Sequence, residues 1–548
     1  MRSRHDGKIN PGPPALYRLN TEKHCIDGNQ NKIRRWTYGR KDENKKNKVI
    51  LVVGETGAGK TTMINTMINY ILGVKFEDQE FYQITDEEEE DETQSKTSEI
   101  TVYEAFVEEN PTSLTIIDTP GYGDTEGVER DREIAEYLTR LFSDNDDGIH
   151  YIDAVCFVMK ASQNRLSGKE HYIFHSVLSL FGRDIEENIV FLLTYSDGGP
   201  PTDALNGINT AGIPCRRDED NEPVHFLFNN RQKQKRDKKY EQTFRSAWGM
   251  GEESMNEFFK LMEEKNRKSV QMTLNVLQER RRLEACVSNL KQRIEEKESK
   301  TDELKQIQEI LRQNRDKIKK CEDFQFTVTK SFKVKVPIVN EWLWNRNATC
   351  CSVCEENCHE WHCDWVSPSK LSQCWVMKDD HCTVCSGKCH YSEHVKENKK
   401  YVTKTEDVKM TFNKLKQEYE RNSEKPKTRF DKNKYDTTKE EHESIMKESE
   451  NITGIEKQLI RDLEKIKEEK SKLLHEVYMA IMSLSKIALK ADSAFTLQHL
   501  DFLILRLKEE EGKEEWMKNL EDLRKAGEDK KNKGALQFMM GFFSRDKK

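Results

Sequence analysis

The segment Gly54-Glu55-Thr56-Gly57-Ala58-Gly59-Lys60-Thr61 has the spacing GxxxxGK[ST] and stands between an apolar run, Val49 to Val53, and a helix-like stretch. In a strand–loop–helix context such a loop folds in one way. Its glycines let backbone N–H groups turn inward around a β-phosphate, Lys60 reaches the β- and γ-phosphates, and the Thr61 hydroxyl ligates Mg²⁺ at the positive end of the helix. Thr62, the next helical residue, completes the phosphate-binding set Gly54 to Thr62.

Short β-branched runs alternate with helix-like segments from Val49 to about Phe228, the pattern of an α/β domain with a mostly parallel sheet and helices on both faces. Candidate strands are Val49 to Val53, Ile100 to Val107, Leu114 to Asp118, Ala154 to Met159, Ile189 to Thr194 and Val224 to Phe228. Asp118-Thr119-Pro120-Gly121 ends the third. There a carboxylate can hold the Mg²⁺ shell through water, and the Gly121 amide can meet the γ-phosphate. Thr194-Tyr195-Ser196-Asp197 ends the fifth, where a carboxylate can accept both the N1–H and the 2-amino hydrogens of guanine; adenine has no N1–H to offer. Asp197 therefore favours GTP over ATP. Tyr195 stands where (N/T)KxD carries lysine, so stacking beneath the base falls to another group. Asn229 and Asn230, after the sixth strand, are placed to hydrogen-bond the guanine O6.

The stretches GETGAGKTT, DTPGYGDT, NRLSGKEHYIFHSVLSLFG and FNNR together resemble the immune-associated nucleotide-binding GTPases (the GIMAP group) and, more distantly, the septins, over about residues 45 to 260. The resemblance implies a GTP/GDP- and Mg²⁺-binding regulatory GTPase that pairs through its G domain. It also implies a switch I threonine over Mg²⁺ and the γ-phosphate, with Thr97 the first choice and Thr101 the second. Ras-like enzymes carry a water-orienting Gln directly after the switch II glycine. Tyr122 fills that slot here, so hydrolysis is expected to be slow and dimer- or partner-stimulated, with Lys60, Thr97 and Gly121 as the catalytic set.

At 548 residues the chain exceeds one core, and with 34% charged residues it is expected to include long solvated helices. The net charge of -7 is small for this size and favours neither nucleic acid nor a membrane surface; the basic run Arg231 to Lys239 reads as a solvated loop. The N-terminus lacks an apolar h-region, and no run reaches the ~18 apolar residues of a membrane span. A cytoplasmic protein without a transmembrane segment is expected, its fourteen cysteines serving as thiols or metal ligands.

Residues 1–47 read as a polar leader and 48–250 as the G domain. Over 252–322, Val276, Leu283, Leu290, Leu304, Leu311 and Ile318 share a seven-residue register, the seam of a coiled-coil helix. A return helix over 413–490 carries Ile445, Ile452, Leu459, Ile466 and Leu473 on a second register. Heptads leave open whether these seams pair within the chain or with a second copy. Between them, over 323–412, two alternating segments, Phe324 to Val336 and Tyr401 to Phe412, flank a cysteine cluster expected at the tip of the stalk. A helical unit over 491–548 ends the chain.

Nine cysteines fall between 350 and 389, and a shift of 31 residues superposes the cluster on itself. Cys350, Cys351, Cys354, Cys358, His359 and Cys363 land on His381, Cys382, Cys385, Cys389, His390 and His394. Each position keeps a metal-ligand type, as structural Zn²⁺ requires. The ligand candidates are Cys351, Cys354, Cys358, His359, Cys363, Cys382, Cys385, Cys389, His390 and His394, with the choice among them open. Such a knob suits docking of protein partners, with Trp361, Trp365, His362 and Tyr391 as a candidate contact face.

Overall fold

The computed structural model describes residues 5–10, 12–26, 33–85, 99–119, 127–143, 148–162, 173–174, 176–264, 267–320, 324–338, 347–360, 366–423, 452–488, 494–508 and 512–528. Thr97, Gly121, Tyr122, the acidic run Glu87 to Glu92, the aromatic face at 361–365 with Cys363, Ile445 and the C-terminal tail lie outside them. Contacts divide the chain into two compact units: Met1–Arg280 with Met482–Ile504 and Glu515–Lys548, and Arg281–Ile481 with Leu505–Glu514.

The first unit is built on an eight-stranded sheet. Its strands are β1 (Glu22–Cys25), β2 (Ile33–Gly39), β3 (Lys46–Gly54), β4 (Ile100–Phe106), β5 (Thr112–Asp118), β6 (Ala154–Lys160), β7 (Ile189–Thr194) and β8 (His225–Leu227). They lie in the order β8-β7-β6-β3-β5-β4-β2-β1, parallel except where β4 meets β5 and β1 meets β2. Strand alternation divides the core between the two faces. Val49, Leu51 and Val53 join Phe157, Phe191 and residues of helices α2 (Gly127–Ser143) and α3 (Thr202–Ala211), among them Ile134, Leu138, Leu205 and Ile208. Ile50 and Val52 face the other way, onto Met63, Ile64 and Met67 of the helix Lys60–Ile71 and Met255, Phe258 and Met262 of the helix Glu241–Glu264. Each fully buried aliphatic contributes roughly 1.5–3 kcal/mol.

The reading of residues 1–47 as a polar leader is corrected. Strand β2 pairs with β4, and Ala15–Leu19 pairs with Glu80–Gln83 in a separate three-stranded sheet. Ile33 and Trp36 are buried, while Arg34 and Arg35 ion-pair with Glu99 and Glu104 at 3.4 and 3.6 Å. Partners from distant sequence neutralise the charges that make the segment look solvated. The helix expected from residue 252 is likewise two: Glu241–Glu264 packs on the sheet, and Gln271–Lys320 follows after Lys268–Ser269 pairs with Tyr151–Ile152.

In the second unit, the part of Gln271–Lys320 beyond Arg281 carries a two-stranded ribbon, Gln325–Pro337 against Lys399–Thr411, antiparallel without a break. The ribbon doubles back along the helix. Thr329 N donates to Gln306 Oε1 (2.8 Å), Ser331 N to Glu303 Oε2 (3.1 Å), and Lys333 pairs with Glu296 (2.8 Å). The cysteine module therefore lies beside the helix and not at a tip: Arg282 Nε donates to Trp375 O (3.3 Å) and Asn289 Nδ2 to Asn357 O (3.1 Å). The reason is burial, because Phe326, Val328 and Met410 on one face of the ribbon cover Leu304, Ile307 and Leu311. The helix Ile452–Ile487 adds Ile455 and Leu459 to this cluster and runs antiparallel, with Arg315–Glu456 at 3.5 Å and Lys297–Glu469 at 2.6 Å.

Candidate functional site

The glycine loop joins β3 to the helix Lys60–Ile71 at the carboxyl ends of the parallel strands, where ligand crevices of open α/β sheets form. Gly54 is required there because a Cβ would stand 2.3 Å from Val158 O of the neighbouring strand. Gly59, with φ of 95°, is the N-cap and offers no side chain to the first-turn amides. Those amides and the helix dipole make an anion site. Lys60 is buried, its Nζ donating to Gly54 O (3.0 Å) and Glu55 O (3.1 Å), so the ammonium lies folded along the loop it serves. Thr61 and Thr62 follow half-buried.

Asp118 ends β5 beside β3, with Val52 as its ladder partner. It is 2% exposed, and its Oδ1 has no hydrogen-bond partner. Burial pushes its pKa from 3.8 up to about 7, against the opposing pull of the nearby Lys60 ammonium. A buried, unpartnered carboxylate oxygen in reach of a phosphate loop is what a hydrated divalent cation would satisfy, so the residues present fit Mg²⁺.

Tyr195 and Asp197 follow β7, and Asn229 and Asn230 follow β8. Backbone bonds zip these loops together, Ser196 N to Phe228 O (3.0 Å) and Phe228 N to Leu193 O (2.8 Å), and Asn229 Nδ2 donates to Ser196 O (2.8 Å). Asp197 is exposed, its Oδ1 accepting from Gly199 N (2.9 Å). Asn230 Nδ2 rests 3.9 Å from Met63 Sδ. Thr194, which opens the base loop and is a candidate nucleotide contact, has its hydroxyl in reach of Ala58 O (2.7 Å) and Met159 O (3.2 Å), tying the base loop to the phosphate loop. Tyr195 holds a positive φ of 56° and is 61% exposed, with Lys160 Nζ 5.8 Å from its ring centroid. In the basic run, Arg236 stacks on Phe76 at 4.1 Å, so at least that charge belongs to packing.

The cysteine repeats meet around Ala348–Cys351, Glu356–His359 and His394–Glu397, which form one small sheet. Two sets of four donors converge, Cys351, Cys354, Cys385 and Cys389, and Cys358, Cys382, Cys385 and His394, with all donor atoms of a set within 4.8 Å of one another. Backbone amides point at the sulfurs, as around metal-bound thiolates: Cys354 N to Cys351 Sγ (3.3 Å), Cys385 N to Cys382 Sγ (3.4 Å) and Gly387 N to Cys354 Sγ (3.3 Å). His394 Nδ1 meets His390 O at 3.0 Å, and its Nε2 is buried without a hydrogen-bond partner. His359 and His390, both ligand candidates by sequence, stand outside the two sets; His359 Nδ1 faces Cys374 Sγ at 3.4 Å, and His390 Nδ1 faces Ser392 Oγ at 2.9 Å. Gly387 escaped the sequence reading. Its Cβ would lie 2.9 Å from Cys389 Sγ and 3.1 Å from Cys354 Sγ, and the available signal was that the repeat places Glu356 at the equivalent position.

The sheet order, the glycine loop and the carboxylate at the end of the adjoining strand place the first unit among P-loop GTPase domains. Residues 45–144 match the family model for septins, and the domain is septin-like. Among solved structures, a dimerisation-deficient mutant of Toc33 from Arabidopsis thaliana is 18% identical, covering 42% of this chain and 88% of that one at a TM-score of 0.31. Toc33 from the same plant in complex with Mg²⁺ and GMPPNP is 16% identical, covering 41% and 89% at 0.29. The septin GTPase domain from Chlamydomonas reinhardtii is 20% identical, covering 34% and 76% at 0.23. No curated protein matches the chain. Among the described residues no helix is long and apolar enough to cross a membrane.

Proposed function

We propose that this chain is a regulatory GTPase that binds GTP with Mg²⁺, hydrolyses it slowly on pairing of G domains, and uses its helical and cysteine-rich unit for assembly or partner docking. The observation that carries the reading is the orphaned Asp118 Oδ1, buried beside Lys60 and the uncapped start of the phosphate-loop helix. Thr61, and Asp118 through water, would hold Mg²⁺, which when bound neutralises charge developing on the phosphates. On nucleotide entry Lys60 exchanges the Gly54 and Glu55 carbonyls for phosphate oxygens. Asp197 accepts from the guanine edge and Asn229 steadies the loop; in place of the other group expected from sequence, the exposed Tyr195 ring itself offers the base a stacking face. By the family resemblance, Thr97 would cover Mg²⁺ and the γ-phosphate and the Gly121 amide would meet the γ-phosphate.

The helical pairing supports a coiled-coil stalk, and the amide-to-sulfur bonds with the unpartnered His394 Nε2 support structural Zn²⁺ in the cysteine module. Nucleotide exchange with labelled GTP and ATP tests base choice: wild type selects GTP, and Asp197→Asn loses that preference. Equal uptake of both nucleotides by wild type refutes the assignment. Single-turnover release of γ-phosphate rising with protein concentration supports the pairing step. A rate that is measurably zero at every concentration leaves instead a nucleotide-binding scaffold.

A further inference from the structure

We propose that the cysteine module holds two zinc ions joined by a shared thiolate, Cys385. The proposal deepens the zinc reading above and rests on it. Two tetrahedral ions need eight ligand positions. The described residues bring seven donors together, and Cys385 Sγ is the one atom common to both sets of four. A thiolate has lone pairs enough to bind two cations, so seven side chains close both shells. One ion takes Cys351, Cys354, Cys385 and Cys389, and the other takes Cys358, Cys382, Cys385 and His394.

Three further observations agree with metal in both positions. A Zn–S bond of about 2.3 Å sets the edge of a sulfur tetrahedron near ~3.8 Å, and Cys354 Sγ lies 3.7 Å from Cys389 Sγ. The His394 ring commits Nδ1 to a backbone carbonyl and leaves Nε2 buried and unpartnered, as a zinc-bound imidazole requires. The Cys385 sulfur accepts from Cys389 N at 3.3 Å, one of several amides that offset the excess negative charge of six thiolates on two dications.

The arrangement also explains the internal repeat. Neither repeat supplies four donors to one ion: the first set takes two cysteines from each repeat, and the second takes Cys358 from the first repeat and Cys382, Cys385 and His394 from the second. The repeats are therefore interlocked through metal rather than placed side by side. Removing the shared sulfur should open both shells, whereas removing a terminal ligand should open one.

The test is zinc counted per chain in the purified full-length protein, with cobalt substitution as a readout that needs no mutation. Wild type should carry two zinc ions, Cys389→Ala one, and Cys385→Ala none, with Cys363→Ala keeping both. On cobalt titration the paramagnetic signal should grow to one equivalent and then fall as the bridging sulfur couples the second ion to the first. Two ions with a signal that grows in proportion to cobalt, or loss of one zinc in Cys363→Ala, overturns the shared thiolate while leaving structural zinc in place. One zinc in wild type does the same. No zinc in wild type refutes the zinc reading itself.

Discussion

Replacing Asp118 with asparagine should stabilise the nucleotide-free protein at neutral pH while destroying its use of Mg²⁺. Burial raises the carboxyl from 3.8 to about 7, a rise of about three pH units, and each corresponds to ~1.4 kcal/mol between the protonation states. The folded state thus binds this proton more tightly than the unfolded one. The resulting stability is fully present below about pH 4, is lost as pH rises to about 7, and stays lost above it. The ceiling is about 4 kcal/mol; half of that would move the unfolding midpoint of a domain this size by roughly 4–8 °C. Denaturant unfolding of wild type and Asp118→Asn in chelator from about pH 4 to about pH 8 reads the difference directly. The curves should converge at low pH and separate toward pH 7, with the variant the more stable. Excess Mg²⁺ and GTP should restore wild type alone. Parallel pH profiles would show that Asp118 is already satisfied in the free protein, and the orphaned-carboxylate argument would fall.

Lys60→Ala should weaken GTP binding at least 100-fold, measured by fluorescent-nucleotide titration, because no other ammonium reaches into the loop from its helix. Tyr195→Ala should weaken guanine-nucleotide binding by about 1–3 kcal/mol, the worth of one base stacked on an aromatic ring; an unchanged affinity assigns the stacking to another residue. Leu311→Ala, in the cluster between helix and ribbon, should cost about 2–5 kcal/mol in the second unit's unfolding and leave nucleotide affinity unchanged.

The nucleotide site was legible because its chemistry is local. Glycine at 54 and 59, lysine at 60 and threonine at 61 carry the spacing of a phosphate loop, and Asp118 and Asp197 are marked by the strands they end or follow. The tie from the Thr194 hydroxyl to Ala58 was not legible, because sequence distance conceals that partner. The cysteines and histidines were legible as a set of candidate donors, since thiols at knuckle spacing stand out in a sequence. Their division was not legible: His359 and His390 have the right chemistry and face Cys374 and Ser392 instead.

Sequence alone determined the phosphate loop, the helical periodicities and the repeated metal-ligand types, because each depends on residues a few positions apart. Tertiary structure decided that Ile33–Gly39 joins the main sheet, that the ribbon folds back along its helix, and that Cys385 stands between two donor sets. These outcomes depend on which apolar faces and charges find partners tens or hundreds of residues away. Such partnerships leave no local spacing to read.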